Sequence, residues 1–391
     1  MVVHAIFQAL STAFDMLWEV FWPLALGFLL SAIVQTLVSR RTVERALGSD
    51  SPRSLALATL FGAASSSCSY AAVAIARSLF RKGASFPAAI VFEFASTNLV
   101  FELGLILLIL LGWSFVGAEF AGGLLMIVTL ALLFRWTLKP AMVEEARRQV
   151  EQGRRGRMEG HAEMDMSITE GPFLKRLLSG RGLTAISHTL WGDVTAVWTD
   201  IGLGLLIAGA LAAWVPNSFW QSFFLTSHPV LSQVWGPLIG PVISLLSFVC
   251  SVGNVPLAAV LWNGGISFGG VIAFVFADLI IIPILDIYRK YYGGRMALYL
   301  LVVSYAAMAL AGLAIGLLFQ GLGFVPSHHP VTSLVAAPTL NYTSVLNAIF
   351  LVILAVLGWR FLRTGGLNML RMMERPAAMP DDSAAHQHHH H

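Results

Sequence analysis

The chain has 391 residues, of which 57% are hydrophobic and only 12% are charged, and its formal net charge at pH 7 is +3. A soluble globular domain has about twice that share of charged residues, so the composition excludes one and predicts an integral membrane protein. The basic residues lie in short clusters between apolar runs. That distribution argues against a nucleic-acid partner and instead indicates how the chain is oriented in a lipid bilayer.

An internal repeat organises the chain. Its two cysteines, Cys68 and Cys250, lie 182 positions apart. The same offset aligns further identical residues, which include Ser69 with Ser251, Ala76 with Ala258, Gly83 with Gly265, Ser85-Phe86 with Ser267-Phe268 and Phe94-Ala95 with Phe276-Ala277. Self-similarity at a fixed spacing is typical of repeated structural units, so we expect two related halves.

The first half contains a pair of short apolar segments. Residues 54–67 and 71–80 are each too short to cross a bilayer, which takes a helix of about 20 residues. Basic residues precede the pair at Arg53 and follow it at Arg81. The chain is therefore predicted to enter from the cytoplasm, turn near Cys68 and return as a re-entrant hairpin, which requires protein or a wet cavity around the turn.

The second half repeats this pattern with a different charge distribution. Residues 236–249 are predicted to be too short to cross, residues 250–254 form the break, and residues 255–262 return to an uncharged loop at Asn263-Gly264-Gly265. Because cytoplasmic loops are enriched in Lys and Arg, the second hairpin is expected to enter from the opposite face. The predicted fold is an all-α polytopic helical bundle with two inverted-topology repeats, each containing a re-entrant hairpin.

Charge and hydropathy also predict the domain organisation. The amino terminus is expected outside and the carboxy terminus in the cytoplasm, with residues 1–12 lying at the membrane surface. The predicted full spans are residues 14–38, 84–112, 116–138, 183–215, 266–286, 297–320 and 345–362. The predicted domains are a first repeat over 1–140, a cytoplasmic linker over 141–182, a second repeat with the last span over 183–364, and a cytoplasmic tail with a purification tag over 365–391.

The two hairpin tips are the predicted substrate site. Broken helices in transporters expose backbone groups at the midplane and hold the substrate there. The candidate ligands at the first tip are Ser65, Ser66, Ser67, Cys68 and Ser69, those at the second tip are Cys250, Ser251 and Asn254, and Asn98 is expected to line the same cavity. The alternative is structural, with the cysteines packing as small hydrophobic residues and the serines satisfying open backbone groups.

The acidic residues Glu93, Glu102, Asp278 and Asp286 lie in or near the predicted spans. Glu102 and Asp286 are expected close to the two membrane surfaces, where water would solvate them. Glu93 and Asp278 lie nearer the middle, and ionisable residues at that depth are functional candidates by default. Glu93 and Asp278 are therefore the predicted proton-coupling residues, with protons as the candidate coupling ion.

Several motifs resemble a known family. They are the Cys-Ser pairs that open the second half of each hairpin, the turns Gly83-Ala84-Ser85-Phe86 and Gly265-Ile266-Ser267-Phe268, the run Ser96-Thr97-Asn98, and Gly253-Asn254-Val255-Pro256. Together they resemble the predicted-permease family that includes the organoarsenical exporter ArsP, over nearly all of residues 14–362. The resemblance implies a plasma-membrane exporter of trivalent organoarsenicals and adds Thr97 to the candidate site.

The chemistry of the cysteines agrees with such a cargo. Thiolates are soft ligands, and two thiols on a pseudo-two-fold axis could occupy both exchangeable positions of a monosubstituted arsenic(III). Two other hypotheses remain at this point. One is a channel or importer of a sulfur-containing or other small solute, and the other is a membrane thiol oxidoreductase.

The sequence carries few signs of an enzyme. It contains no Gly-x4-Gly-Lys-Ser/Thr motif for ATP and no Cys-x-x-Cys motif for redox chemistry. We therefore expect a transporter without cofactor or metal, whose partners are a small-molecule substrate and the lipid bilayer. The sequence leaves the oligomeric state open.

Overall fold

The computed structural model describes residues 2–37, 47–65, 69–81, 83–151, 177, 179–247, 251–326 and 342–374. Within these ranges the regular structure is helical. The helices of the first half are α1 (Val2–Leu37), α2 (Pro52–Ser65), α3 (Ser69–Arg81), α4 (Phe86–Asn98), α5 (Phe101–Leu110), α6 (Trp113–Thr137) and α7 (Pro140–Glu151).

The second half is also helical in the part that the structure describes. Its helices are α8 (Gly180–Trp214), α9 (Asn217–Phe223), α10 (Pro229–Ser247), α11 (Ser251–Asn263), α12 (Phe268–Phe276), a 3-10 turn (Ala277–Leu279), α13 (Ile282–Tyr292), α14 (Gly294–Gly321), α15 (Tyr342–Arg363) and α16 (Gly366–Glu374). The long helices α1 and α8 pack against each other and join the two halves.

Five of the described segments are long and apolar enough to cross a membrane. They are Phe86–Leu110, Trp113–Thr137, Pro229–Ser247, Gly294–Gly321 and Tyr342–Arg363. A sixth candidate is the pair Phe268–Leu279 and Ile282–Tyr292, which is bent by 42°. The prediction of an all-α polytopic membrane protein is thus confirmed.

One predicted boundary in each half is wrong. Residues 2–12 continue into the first span as a single 36-residue helix, α1, and do not form a separate surface segment. Helix α10 begins at Pro229 and has 19 residues, so it is long enough to cross a membrane, and the prediction that the segment from residue 236 is too short to cross is wrong. The sequence misleads here because Pro237 and Pro241 resemble helix breakers, yet both lie inside α10.

The segment predicted as one span over residues 266–286 is broken in the structure. Helix α12 ends at Phe276, the 3-10 turn follows, and α13 begins with Ile282 and Pro283. Pro283 has no N–H to continue a preceding helix and its ring would clash with the carbonyl four residues earlier, whereas the first turn of a new helix tolerates it, which explains the break at this point. The break places Asp278 between two helices.

Local structure follows the 182-residue offset closely. Helices α2 and α10 end at Ser65 and Ser247, while α3 and α11 begin at Ser69 and Ser251. A glycine with positive φ follows each of α3 and α11: Gly83 at 104° and Gly265 at 94°. A serine then caps the next helix, Ser85 for α4 and Ser267 for α12. Positive φ is easily adopted by glycine alone, so these two turns need the residue that both halves retain.

The first pair of short helices returns to the level at which it began. The Ser85 backbone N–H donates to the Leu47 carbonyl over 2.9 Å, and the Ser85 hydroxyl donates to the Ser49 carbonyl over 3.2 Å. Residues 47–49 precede α2 and Ser85 follows α3, so the start and end of the pair are joined. The chain therefore returns after α3 to the place where α2 begins.

The turns that close the two pairs lie at opposite ends of α6. Phe86, which follows the first turn, contacts Phe134 with ring centroids 6.3 Å apart, whereas Phe268, which follows the second, contacts Phe115 at 4.6 Å. At about 1.5 Å per residue, Phe115 and Phe134 are separated by about 28 Å along the helix. That distance is close to the thickness of the hydrocarbon core of a bilayer, about 30 Å.

Corresponding helices of the two halves make corresponding contacts with the opposite half. Helix α3 packs against α13 of the second half, and its counterpart α11 packs against α5 of the first. Glycines bring the helices of each half into close contact, since a Cβ at Gly62 would lie 2.4 Å from the Phe92 carbonyl oxygen and a Cβ at Gly240 would lie 2.5 Å from the Gly270 carbonyl oxygen. Such contacts of small residues are typical of helix pairs in membranes.

Candidate functional site

A buried hydrogen-bond network centres on Asp278. The Ser69 hydroxyl donates to Asp278 Oδ2 over 2.7 Å, and Asn98 Nδ2 approaches Asp278 Oδ1 at 3.5 Å. All three residues have no exposed surface. Since Ser69 opens α3 in the first half and Asp278 lies in the second, the network ties the start of α3 to the opposite half.

Helix ends position these groups. Asn98 is the last residue of α4, and its side-chain amide also donates to Thr97 Oγ1 at 3.0 Å and to the Phe94 carbonyl at 3.2 Å. The acceptor oxygen of the same side chain, Asn98 Oδ1, has no hydrogen-bond partner among the described residues. A buried amide oxygen in that state is costly unless it binds a donor, so it is a place where a substrate, an ion or water can be held.

Glu93 lies one helical turn before Thr97 and is also fully buried. The Tyr288 hydroxyl of α13 donates to Glu93 Oε1, and this second contact also joins the two halves. Glu93 Oε2 has no partner within the described ranges. The sequence predicted Glu93 and Asp278 as intramembrane acids. In the structure their carboxyl groups are close enough for their negative charges to repel each other.

A third buried acid, Glu119, was not predicted. It lies in α6, is 1% exposed, and neither carboxyl oxygen has a hydrogen-bond partner in the part of the chain that the structure describes. Glu119 is within electrostatic range of Asp278. The sequence signal was available, because Glu119 is the one acidic residue in the 25-residue span Trp113–Thr137, and such residues in a span are functional candidates.

Aromatic residues and one arginine surround the end of the network nearest the first turn. The Arg77 guanidinium lies 4.2 Å from the centre of the Tyr291 ring, a cation–π geometry. Tyr292 contacts Phe80 and Phe86, and its hydroxyl has no hydrogen-bond partner among the described side and main chains. These residues were also missed, because Tyr and Arg near a basic loop are typical of a membrane interface.

Of the remaining predicted site residues, Ser65 and Asn254 make hydrogen bonds within their own half, and most of the others lie outside the described residues. Ser65 donates to the Gly62 carbonyl at 2.8 Å within its own helix, and Asn254 donates to Ser244 Oγ at 3.0 Å and accepts a 3.5 Å contact from Ser247. No hydrogen bond between described residues joins Asn254 to Asp278, although α11 packs against the 3-10 turn. Ser66, Ser67, Cys68 and Cys250 lie outside the described residues, and Ser251 is the first residue of α11.

The buried ionisable groups do not follow the repeat. At the 182-residue offset, Glu93, Asp278, Glu119 and Tyr288 correspond to Val275, Ser96, Leu301 and Ile106. The two halves share the positions of their turns at this offset, whereas these four ionisable residues have no ionisable counterpart in the other half. The described residues hold no group of three or more His, Cys, Asp or Glu side chains that could bind a metal ion.

Comparison with known proteins agrees with this architecture. The family model described as predicted permease matches residues 5–317. The chain is 59% identical over 346 residues to Rv2963 of Mycobacterium tuberculosis, whose name marks it as a candidate permease, with 88% of this chain and 85% of the relative covered. It is 25% identical over 199 residues to the protein YraQ of Escherichia coli, covering 50% of each chain. No solved structure matches. The chain is a multi-pass membrane protein that belongs to the predicted-permease family.

Proposed function

We propose that this permease exports a small thiophilic solute, a trivalent organoarsenical being the substrate class that its chemistry fits best, through a site between two hairpin tips. The observation that carries the proposal is the buried contact of Ser69 with Asp278. Ser69 is bonded directly to Cys68 in the chain, so the contact fixes the residue next to a thiol beside an ionisable group of the other half.

The proposed fold gives the site access from either side. Both turns lie at opposite ends of α6, which supports two re-entrant hairpins that enter from opposite faces. Inverted repeats of this kind let one half rock against the other around a fixed midplane site. Since Arg135 and Arg147 lie near the first turn, that end is assigned to the cytoplasm, with the amino terminus outside and the protein in the plasma (inner) membrane.

The proposed domains follow from the same arrangement. Residues 1–140 and 183–364 form the two repeats, residues 141–182 the cytoplasmic linker and residues 365–391 the tail. Part of the linker is helical and packed, because α7 contacts α3, α13 and α14, and Arg147 donates to the Phe80 carbonyl at the end of α3. The linker thereby holds the cytoplasmic end of the first hairpin.

The proposed ligands combine soft and polar groups. Cys68 and Cys250 would bind arsenic as thiolates, because soft thiolate ligands prefer soft, thiophilic centres. Ser65, Ser66, Ser67, Ser69, Ser251, Asn254, Thr97 and Asn98 would line the cavity. The unpartnered oxygen of Asn98 supports a polar contact with the cargo.

Proton entry is the proposed driving force, with Glu93 and Asp278 as the coupling groups. An ionised carboxylate that is buried without a cation is costly, so each group is suited to bind a proton at one stage of the cycle and release it at another. Asp278 accepts from Ser69, and gain or loss of its proton would therefore change the contact that holds the first hairpin tip.

Survival of cells on methylarsenite tests the function. Cells that lack their own arsenic exporters would express the wild-type chain, Cys68→Ser or Cys250→Ser at equal levels, with Ser49→Ala as a matched surface control. Protection by the wild type and the control, but by neither cysteine variant, is the expected result. Protection that survives both cysteine substitutions would reduce the cysteines to packing residues, and its absence in the wild type would refute this cargo.

A further inference from the structure

We propose that Glu119, Asp278 and Glu93 form a column of proton-binding carboxyl groups, with Glu119 as its outer end, along which protons pass the cargo site. This inference rests on the proposed export function for its direction. The column itself rests on the positions and the unpartnered oxygens of the three side chains.

Two antiparallel helices give the depth of each carboxyl group. Phe86 of α4 contacts Phe134 of α6, and further along a Cβ at Gly123 would lie 3.8 Å from the Asn98 carbonyl oxygen. From the level of Phe86, a rise of about 1.5 Å per residue places Glu93 about 10 Å along α4 and Asn98 about 18 Å along it. Asp278 lies at the level of Asn98, which donates to it.

Glu119 lies beyond that level. It precedes Phe134 by 15 residues in α6, which places it about 22 Å from the level of Phe86. The three carboxyl groups are thus ordered Glu93, Asp278, Glu119 from the basic end of the molecule to the opposite end. Asp278 in the middle is within electrostatic range of both others.

Buried oxygen atoms without a hydrogen-bond donor among the described residues lie at or beside each of the three carboxyl groups. Both oxygens of Glu119, Glu93 Oε2 and Asn98 Oδ1 are buried without a hydrogen-bond partner among the described residues. Asn98 is not acidic, so its open oxygen is a separate indication that donors such as water or a protonated group occupy this space. Buried polar groups of this kind are normally satisfied by bound water, which also conducts protons.

The other ionisable groups near α6 do not neutralise Glu119. Helix α6 packs against α4, α5, α12 and α14. Glu93 on α4 accepts from Tyr288, Glu102 on α5 lies against Gly27 of α1, and α12 itself carries no ionisable residue before the turn with Asp278. The ionisable residues of α14 lie elsewhere: Arg295 interacts with Glu145, Tyr299 with Thr137 and Tyr305 with the Leu238 carbonyl.

The proton balance is simple. Glu119 takes up one proton from the outer side, the proton passes through water to Asp278 and then to Glu93, and Glu93 releases it toward the cytoplasm. Only O–H bonds form and break, and one positive charge enters for each turnover of the column. Cargo export in the opposite direction would be coupled through the Ser69 contact with Asp278.

Transport in reconstituted vesicles tests the direction and the coupling. Glu119→Gln is compared with the wild type, with Glu119→Asp, which keeps a carboxyl, and with the matched control Glu102→Gln. Two rates of methylarsenite movement are measured, one driven by a pH gradient and one by exchange at equal pH. We expect Glu119→Gln to lose gradient-driven transport at least tenfold while exchange persists, and Glu119→Asp to retain part of both.

The proton column is also testable without any cargo. Infrared difference spectra of the purified protein between acid and alkaline pH should contain a carboxyl band that is missing in Glu119→Gln and present in Glu102→Gln. Gradient-driven transport that survives in Glu119→Gln, or identical infrared spectra for Glu119→Gln and the wild type, would overturn the column. A wild type that exchanges no methylarsenite yet shows the band would refute the cargo and leave the column supported.

Discussion

Asp278 receives hydrogen bonds from two elements of the other half, and both donors are buried. In Asp278→Asn one acceptor oxygen becomes an NH2 group that faces a donor. We expect transport to fall at least tenfold and the free energy of unfolding to decrease by about 1–3 kcal/mol, because a buried donor loses its acceptor. Transport in vesicles and thermal unfolding in detergent measure the two effects.

Asp286 provides the matched control for that substitution. It lies on the next helix and pairs at the surface with Arg289 at 2.7 Å and with Lys290 at 2.6 Å. Exposed ion pairs contribute little to stability, so Asp286→Asn should leave transport and the unfolding midpoint unchanged. Equal losses in the two variants would show that Asp278 has no special role.

Tyr288 and Tyr292 allow a second test at the level of single atoms. Both rings are 1% exposed, but only the Tyr288 hydroxyl has a partner, Glu93, among the described residues. Tyr288→Phe leaves a buried carboxyl without its donor and should lower the free energy of unfolding by about 1–3 kcal/mol. Tyr292→Phe removes a buried hydroxyl that has no hydrogen-bond partner among the described residues, so it should leave the free energy of unfolding unchanged or raise it.

The same two variants, Tyr288→Phe and Tyr292→Phe, distinguish a role of the Tyr288 hydroxyl in transport from a role in stability alone. If Glu93 couples proton movement, Tyr288→Phe should also shift the pH profile of transport, since it changes the surroundings of Glu93. Tyr292→Phe should keep the wild-type profile. A profile that is identical in all three proteins would assign the Tyr288 hydroxyl to stability alone.

At the scale of elements, close approach between helices holds each hairpin against its neighbour. Helix α10 meets α12 at Gly240, where a Cβ would lie 2.5 Å from the Gly270 carbonyl oxygen and 3.1 Å from the Phe274 nitrogen. Both neighbours are backbone and cannot move away alone. Gly240→Ala should therefore separate the two helices and lower the free energy of unfolding by about 1–3 kcal/mol.

Gly202 of α8 is the control for this effect. A Cβ there would have nothing within 4 Å, and alanine is a better helix former than glycine by up to about 1 kcal/mol. Gly202→Ala should therefore leave the unfolding midpoint unchanged or raise it. Thermal unfolding of the two variants in the same detergent provides the comparison, and a tolerated Gly240→Ala would contradict the packing argument.

At the scale of the whole molecule, the opposite placement of the two turns predicts opposite accessibility. Asp50 precedes the first hairpin and Ser227 precedes α10, and both are exposed. In a background with Cys68→Ser and Cys250→Ser, an impermeant thiol reagent should label Asp50→Cys only from the cytoplasmic side. It should label Ser227→Cys only from outside.

Labelling of intact cells and of inverted vesicles measures this directly. The two positions report on opposite ends of the molecule, so one is the internal control for the other. Labelling of both from a single side would contradict the inverted arrangement, whichever cargo the protein carries.

The sequence by itself determined the membrane class and most helix bounds. Apolar runs of about 20 residues can bury their backbone only as helices in a bilayer, and the 182-residue offset predicted turns that the structure forms at Gly83 and Gly265. It also identified Glu93, Asp278, Ser69 and Asn98 as candidates. An acid or amide in an apolar run is conspicuous, because its burial is costly in any fold.

Only the tertiary structure decided which of these groups meet. Ser69 and Asp278 are 209 residues apart, and no local pattern encodes a contact between helices that far apart. Tyr288 has ordinary sequence surroundings and is singled out only by its contact with Glu93. Glu119 is recognisable in the sequence as an acid in an apolar span, but only packing places it near Asp278. The break between α12 and α13 likewise depended on context, since Pro283 could have kinked a continuous helix, and this break places Asp278 beside the start of α3.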